Sequence, residues 1–186
     1  HTGTSPLSSL ISYDPSSDTW TEKNSMNTPR HAPAAAVYNN ELYVFGGDSG
    51  GNVLSSVEIY NPVTDSWRDG NSMSTSRLLA SATTIGDKIY VVGGFQSAYG
   101  SSLATLEIYD PVNDSWTKGI DMASNRLGLA SSSACNKLYV FGGDTYFETL
   151  NSVAIYDPDS SSWSDGIAMD TKRREFQVVN VNGTFY

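Results

Sequence analysis

Four arginines recur at a nearly fixed interval: Arg30, Arg77, Arg126 and Arg173 stand 47, 49 and 47 residues apart. The chain has 11 basic against 20 acidic residues, with a formal net charge of −9, so one column holds more than a third of its cations. A guanidinium presents a planar fork of N–H donors that fits a carboxylate through two parallel hydrogen bonds. One chemistry open to the column is therefore capture of a carboxylate-bearing ligand, either an acidic peptide or an acidic sugar. The other is structural, with each guanidinium pairing with a carbonyl or carboxylate of the next repeat. A contact made in every unit usually serves the repeat itself, and that weighs toward structure.

Catalysis has little to work with. His1 and His31 are the only histidines, so no Ser-His-Asp or Cys-His arrangement can be assembled convincingly. Cys135 is the only cysteine, which excludes an internal disulfide and a multi-thiolate metal site. No pair of acidic residues has a spacing that argues for general acid–base work. Asp48 and Asp144 sit where they could contribute to a cation site, but an Asp in a glycine-rich loop is far more often a turn residue. No metal or cofactor is expected, and the balance is against an enzyme. The acidic chain does not suit nucleic acid or an anionic membrane, whose phosphates call for a basic face. No apolar run approaches the roughly 20 residues that span a bilayer. Sequons occur at Asn113 and Asn182, but chance accounts for most such matches in an Asn/Ser-rich chain; few lysines and many Ser, Thr and Asn lean toward an extracellular or cell-surface setting.

The arginines are one column among several. Trp20, Trp67, Trp116 and Trp163 repeat at the same three intervals, as do Met26, Met73, Met122 and Met169, and Tyr13, Tyr60, Tyr109 and Tyr156. Every Trp and every Met of the chain falls in its own column. Apolar runs ending in Gly-Gly occur at 42–47, 89–94 and 138–143, and a Tyr-Asp/Asn-Pro turn follows each and also opens the chain at Tyr13. The Trp comes seven residues after that Tyr, and the Arg ten after the Trp.

This combination resembles the kelch repeat, whose unit is one blade of a β-propeller. The resemblance covers the whole chain and implies an all-β, kelch-type β-propeller of four-stranded antiparallel blades, with repeats near 1–29, 30–76, 77–125, 126–172 and a partial unit at 173–186. Strands A to D run from the axis outward. Strand A is expected at 32–38, 79–85, 129–134 and 176–181, the first three rich in Ala, Ser and Thr because blades converge at the axis. The fourth departs, with Arg174, Glu175, Phe176 and Gln177 in place of small or apolar residues. Asn39-Asn40, Gly86-Asp87, Cys135-Asn136 and Asn182-Gly183 read as A–B hairpin turns. Trp and Tyr are large enough to fill the space between blades.

Some kelch propellers are enzymes. A copper site like that of galactose oxidase needs more histidine than this chain has, and the sialidase turn Ser-x-Asp-x-Gly-x-Thr-Trp is absent, since turns such as Val63-Thr64-Asp65-Ser66-Trp67 lack its Gly. In kelch-type binding domains, arginines at comparable positions can line the ligand pocket, as the resemblance implies.

In an antiparallel meander the D–A and B–C loops share one end of the blade, and the A–B and C–D turns share the other. The single change of repeat length lies in a B–C loop, where the sequence is also most variable. Phe95, Tyr99, Tyr146 and Phe147 are aromatics of those loops. They either form a recognition surface or fold down onto the blade. The resulting expectation is a binding or scaffold module that takes a protein or peptide partner at this end, an acidic one fitting the arginines. Carbohydrate binding or processing at the same end is the alternative. The chain opens after the place of a Gly-Gly and closes before the next. It is read as a fragment of a larger propeller with open edges prone to self-association. Otherwise its two ends join into one blade of a small ring, or two chains build a larger ring.

Overall fold

The computed structural model describes residues 5–96 and 102–186. Three four-stranded antiparallel sheets follow one another along the chain. The first is β3 (Ala34–Tyr38), β4 (Glu41–Phe45), β5 (Val57–Asn61) and β6 (Ser66–Gly70). The second is β7 (Ser81–Ile85), β8 (Lys88–Val92), β9 (Leu106–Asp110) and β10 (Ser115–Lys118), and the third is β11 (Ala130–Ala134), β12 (Lys137–Phe141), β13 (Val153–Asp157) and β14 (Ser162–Gly166). A hairpin of β1 (Leu10–Asp14) and β2 (Thr19–Lys23) precedes them, and a short one of β15 (Asn180–Val181) and β16 (Thr184–Phe185) follows. These match strands C–D, three complete A–D blades, and strands A–B. The fourth A strand is shorter than the sequence suggests, because its ladder pairs only Asn180 with Phe185 and Val181 with Thr184.

The spacing of seven between Tyr and Trp places each pair directly across the C–D ladder: Tyr13 with Trp20, Tyr60 with Trp67, Tyr109 with Trp116 and Tyr156 with Trp163. Their rings lie 4.8–5.1 Å apart. A tight turn makes that register possible. Asp14, Asn61, Asp110 and Asp157 each accept a backbone N–H two residues on, and Asp18, Asp65, Asp114 and Ser161 take positive φ. At the other hairpin, Asn39-Asn40 and Cys135-Asn136 are left-handed at both residues, as a two-residue turn between twisted strands requires.

The apolar cores lie between sheets rather than within them. Tyr43, Phe45, Val57 and Ile59 of the first blade pack with Ile89, Val91 and Tyr109 of the second. Tyr90, Val92 and Leu106 then pack with Leu138, Val140 and Tyr156 of the third. Each such side chain contributes about 1.5–3 kcal/mol when fully buried. Polar ties add to this. Trp67, Trp116 and Trp163 each donate their indole N–H, at 2.7 Å, to a carbonyl of the preceding blade: Asn24, Asn71 and Ile120.

At the axis the inner strands are small for a second reason besides space. Ser131 Oγ meets Thr83 Oγ1 at 2.6 Å and donates to Ser81 Oγ at 2.7 Å, and Thr84 Oγ1 donates to the Val37 carbonyl at 2.8 Å. The hydroxyls thus knit one blade to the next.

Candidate functional site

The Arg column and the Gly-Gly column form one joint. The Arg backbone carbonyl accepts from the second Gly of the preceding blade, Arg77 from Gly47 and Arg126 from Gly94 at 2.8 Å, and Arg173 from Gly143 at 2.9 Å. The first Gly of each pair has positive φ, and a Cβ there would clash with that same carbonyl. The guanidinium reaches into its own blade, not the next one as the structural reading of the sequence supposed. Arg30 Nη1 donates to Gly46 O at 2.6 Å, and Nη2 donates to Ser56 Oγ and to Glu58 Oε1, each at 2.9 Å. Arg77 repeats this with Gly93 O at 2.8 Å, Thr105 Oγ1 at 3.1 Å and Glu107 Oε1 at 2.5 Å. Arg126 bonds Gly142 O at 3.0 Å and Ser152 Oγ at 2.9 Å. All three are buried. Burial holds the Arg77 guanidinium below its usual pKa against the opposing pull of Glu107, and burial likewise lowers Arg126.

Arg173 differs. Its backbone joins the third blade through Gly143 and Leu150, but its side chain is exposed and meets no such hub among the described residues. The hub partners lie four and two residues before the C-strand Tyr: Ser56, Thr105 and Ser152, then Glu58, Glu107 and Ala154. Sequence reasoning passed over these columns, although their periodicity matches that of the arginines.

Two residues beyond each Arg, the chain turns left-handed at Ala32, Leu79, Gly128 and Glu175, with φ of 48°, 54°, 59° and 52°. Leu79 N donates to Ala32 O at 3.0 Å, Gly128 N to Leu79 O at 2.9 Å and Glu175 N to Gly128 O at 2.7 Å. This arc of backbone bonds crosses from blade to blade around the axis. Four different residue types occupy it, so no repeated letter in the sequence marks it. Beside it opens a cavity of about 580 Å³ lined in part by Leu7, His31, Pro33, Leu79, Leu129 and Phe176. Its volume falls in the range of small-molecule pockets. Arg30 also contributes to the lining.

The B–C loops stand at this same end. Tyr146 and Phe147 are 71% and 92% exposed, with rings 5.7 Å apart and nearly perpendicular. Asp144 shapes their loop: Oδ1 accepts from Tyr146 N at 3.0 Å, and Oδ2 pairs with Arg174 at 2.8 Å. Asp48 accepts from Gly51 N at 2.8 Å. Phe95 is half-buried and bridges Leu78 and Ser102 through its backbone. Tyr99 lies outside the described residues. Among the described residues no group of three or more His, Cys, Asp or Glu is placed to hold a metal ion.

Antiparallel four-stranded blades joined by Gly-Gly, Tyr/Trp and buried Arg columns define a kelch-type β-propeller. The family model described as the Attractin/LZTR1 beta-propeller matches residues 1–183, and the chain belongs to that family. Among solved structures, that of YjhT matches with a TM-score of 0.73 and 18% identity, over 84% of this chain and 57% of the YjhT chain. The chain thus spans somewhat over half the length of that structure. No curated protein matches the sequence. Kelch propellers are in general binding or scaffold modules for protein partners, and no helix among the described residues is long and apolar enough to cross a membrane.

Proposed function

We propose that the chain recognises a protein or peptide partner through the end of the propeller formed by the D–A and B–C loops. The observation that carries this is the exposed, mutually packed pair Tyr146 and Phe147. Large apolar rings held in water are costly, and aromatics at a loop tip are the residue type most often found at interaction hot spots. Among the described residues the opposite end exposes Val63 and Val112 as aliphatic side chains on separate blades, and Tyr13 with Trp20 on the first hairpin, in the column whose counterparts Tyr109, Trp116, Tyr156 and Trp163 pack between blades. The exposed Arg173 adds a cation to the aromatic end, which suits an acidic partner.

Affinity capture with the protein and with Tyr146→Ser/Phe147→Ser tests the reading. The double variant should lose about tenfold or more in affinity, in line with a central hot spot. A Val63→Ser/Val112→Ser control should bind as before. Equal binding by all three forms overturns the proposal. The cavity beside the axis, with Glu175 and Gln177 on its wall, favours a second reading, in which this end takes a carbohydrate. Binding on a glycan array without a captured protein would select that reading.

A further inference from the structure

The third Arg hub lacks the part that completes the other two. Glu58 accepts from Asn27 N at 2.6 Å, Thr28 N at 3.1 Å and Arg30 Nη2 at 2.9 Å. Glu107 accepts from Ser74 N at 2.8 Å, Ser74 Oγ at 2.7 Å, Thr75 N at 3.2 Å and Arg77 Nη2 at 2.5 Å. The third counterpart is Ala154. Arg126 remains just as buried, at 4% exposure, but no carboxylate comes within ion-pair distance of it among the described residues. Its Nε meets only the neutral Ser124 Oγ, at 3.2 Å. The amides of Ala123 and Ser124, counterparts of those that bind the glutamates, meet no acceptor among the described residues. In place of the missing side chain is a cavity of about 170 Å³ lined by Met122, Ser124, Arg126, Ala154, Trp163 and Asp165 among others.

We propose that this cavity is a binding site for a small carboxylate, the size of propionate, held by Arg126 and the Ala123 and Ser124 amides. The donor set is the one that binds a carboxylate twice elsewhere in the same chain, so its geometry for that group needs no new assumption. A buried cation without a counterion is a strong attractor for an anion that can replace both the charge and the hydrogen bonds. The void is lined by Ala154, the residue that stands in the column of Glu58 and Glu107, which fits an acid with a short alkyl stem. Burial pushes the Arg126 pKa down, and among its charged surroundings only Asp165 pulls the other way. Asp165 stands opposite Ala154 in the ladder, exposed, where it competes with an incoming anion. The carboxylate could be a free acid or the tip of an acidic side chain of a bound partner. The site is separate from the aromatic loop tips and does not depend on their role.

The test is calorimetric titration at constant ionic strength with propionate, propionamide and a capped Gly-Glu-Gly peptide. Propionate should bind, and the neutral amide should bind about tenfold more weakly or not at all, given the strength of charge-assisted hydrogen bonds. Ala154→Glu, which fills the site from within, should abolish propionate binding while the protein stays folded. Asp165→Asn should tighten binding. Uptake of propionate alone assigns the site to a free acid, and uptake of the peptide as well assigns it to a side-chain tip. No propionate binding, or equal binding by Ala154→Glu, overturns the proposal.

Discussion

Removing the carboxylate from the second Arg hub, by Glu107→Ala, should be among the most damaging single substitutions in the chain. The side chains of Arg77 and Glu107 are 0% and 3% exposed. The substitution strips Arg77 Nη2 of its charged acceptor and leaves the Ser74 and Thr75 amides without theirs. Arg77 Nε already lacks a partner in the intact hub, so it offers no reserve. Arg77 keeps Gly93 O and Thr105 Oγ1, which limits the damage. Breaking a buried pair on one side costs about 3–5 kcal/mol. For a domain of this length that corresponds to a fall in Tm of about 6–20 °C. Urea unfolding followed by tryptophan fluorescence, with calorimetry alongside, reads the change. Glu107→Ala/Arg77→Met should recover much of the loss, since an apolar replacement of both partners leaves no orphaned charge. A single-variant cost below about 1 kcal/mol, or a double variant as unstable as the two singles combined, would refute the view that the hub matters through buried charge.

Other outcomes follow from the same geometry. Ala154→Glu should stabilise the protein by about 1–3 kcal/mol by supplying the missing acceptor, read as a rise in urea midpoint. Gly46→Ala should cost more than about 2 kcal/mol because its Cβ would meet the Arg77 carbonyl, whereas Gly86→Ala, with nothing within 4 Å, should cost only the left-handed backbone penalty of about 1 kcal/mol. Burial, then the hydrogen bond to Asp65, pushes Tyr60 up to about 12. Its folded value thus exceeds the unfolded one near 10, so its contribution is complete below pH 10 and is lost as pH rises through about 12; Tyr60→Phe should flatten that alkaline decline. The hydrogen bond from Asn113, with help from Lys88, holds Asp110 down at about 2. Its contribution is present above pH 4 and fades as pH falls through about 2, so Asp110→Asn should soften acid unfolding in that window.

Much of the scaffold was legible because it depends on local spacing. Seven residues between Tyr13 and Trp20 fix a turn and a register, and Gly46-Gly47 marks a strand end that only glycine tolerates. That the arginines pair with carbonyls and carboxylates was expected from the sequence, but which ones, and in which blade, was not readable from their own column. Their partners are a carbonyl 16 residues on and an acid 28 or 30 residues on, and only the fold brings these together. The left-handed arc at Ala32, Leu79, Gly128 and Glu175 escaped because backbone hydrogen bonds leave the side chain unspecified. The gap at Ala154 was hidden for the opposite reason. A single alanine in a strand is unremarkable until the two glutamates in its column are known to be filling a hub.

Hydrogen–deuterium exchange of the protein with and without its captured partner tests the binding end most directly. The account predicts protection in the B–C loops at 144–150 and in the D–A segments at 173–177, with the C–D turns at 61–66 and 110–115 unchanged. Protection confined to those C–D turns, with the Tyr146–Phe147 loop exchanging as in the free protein, would contradict it.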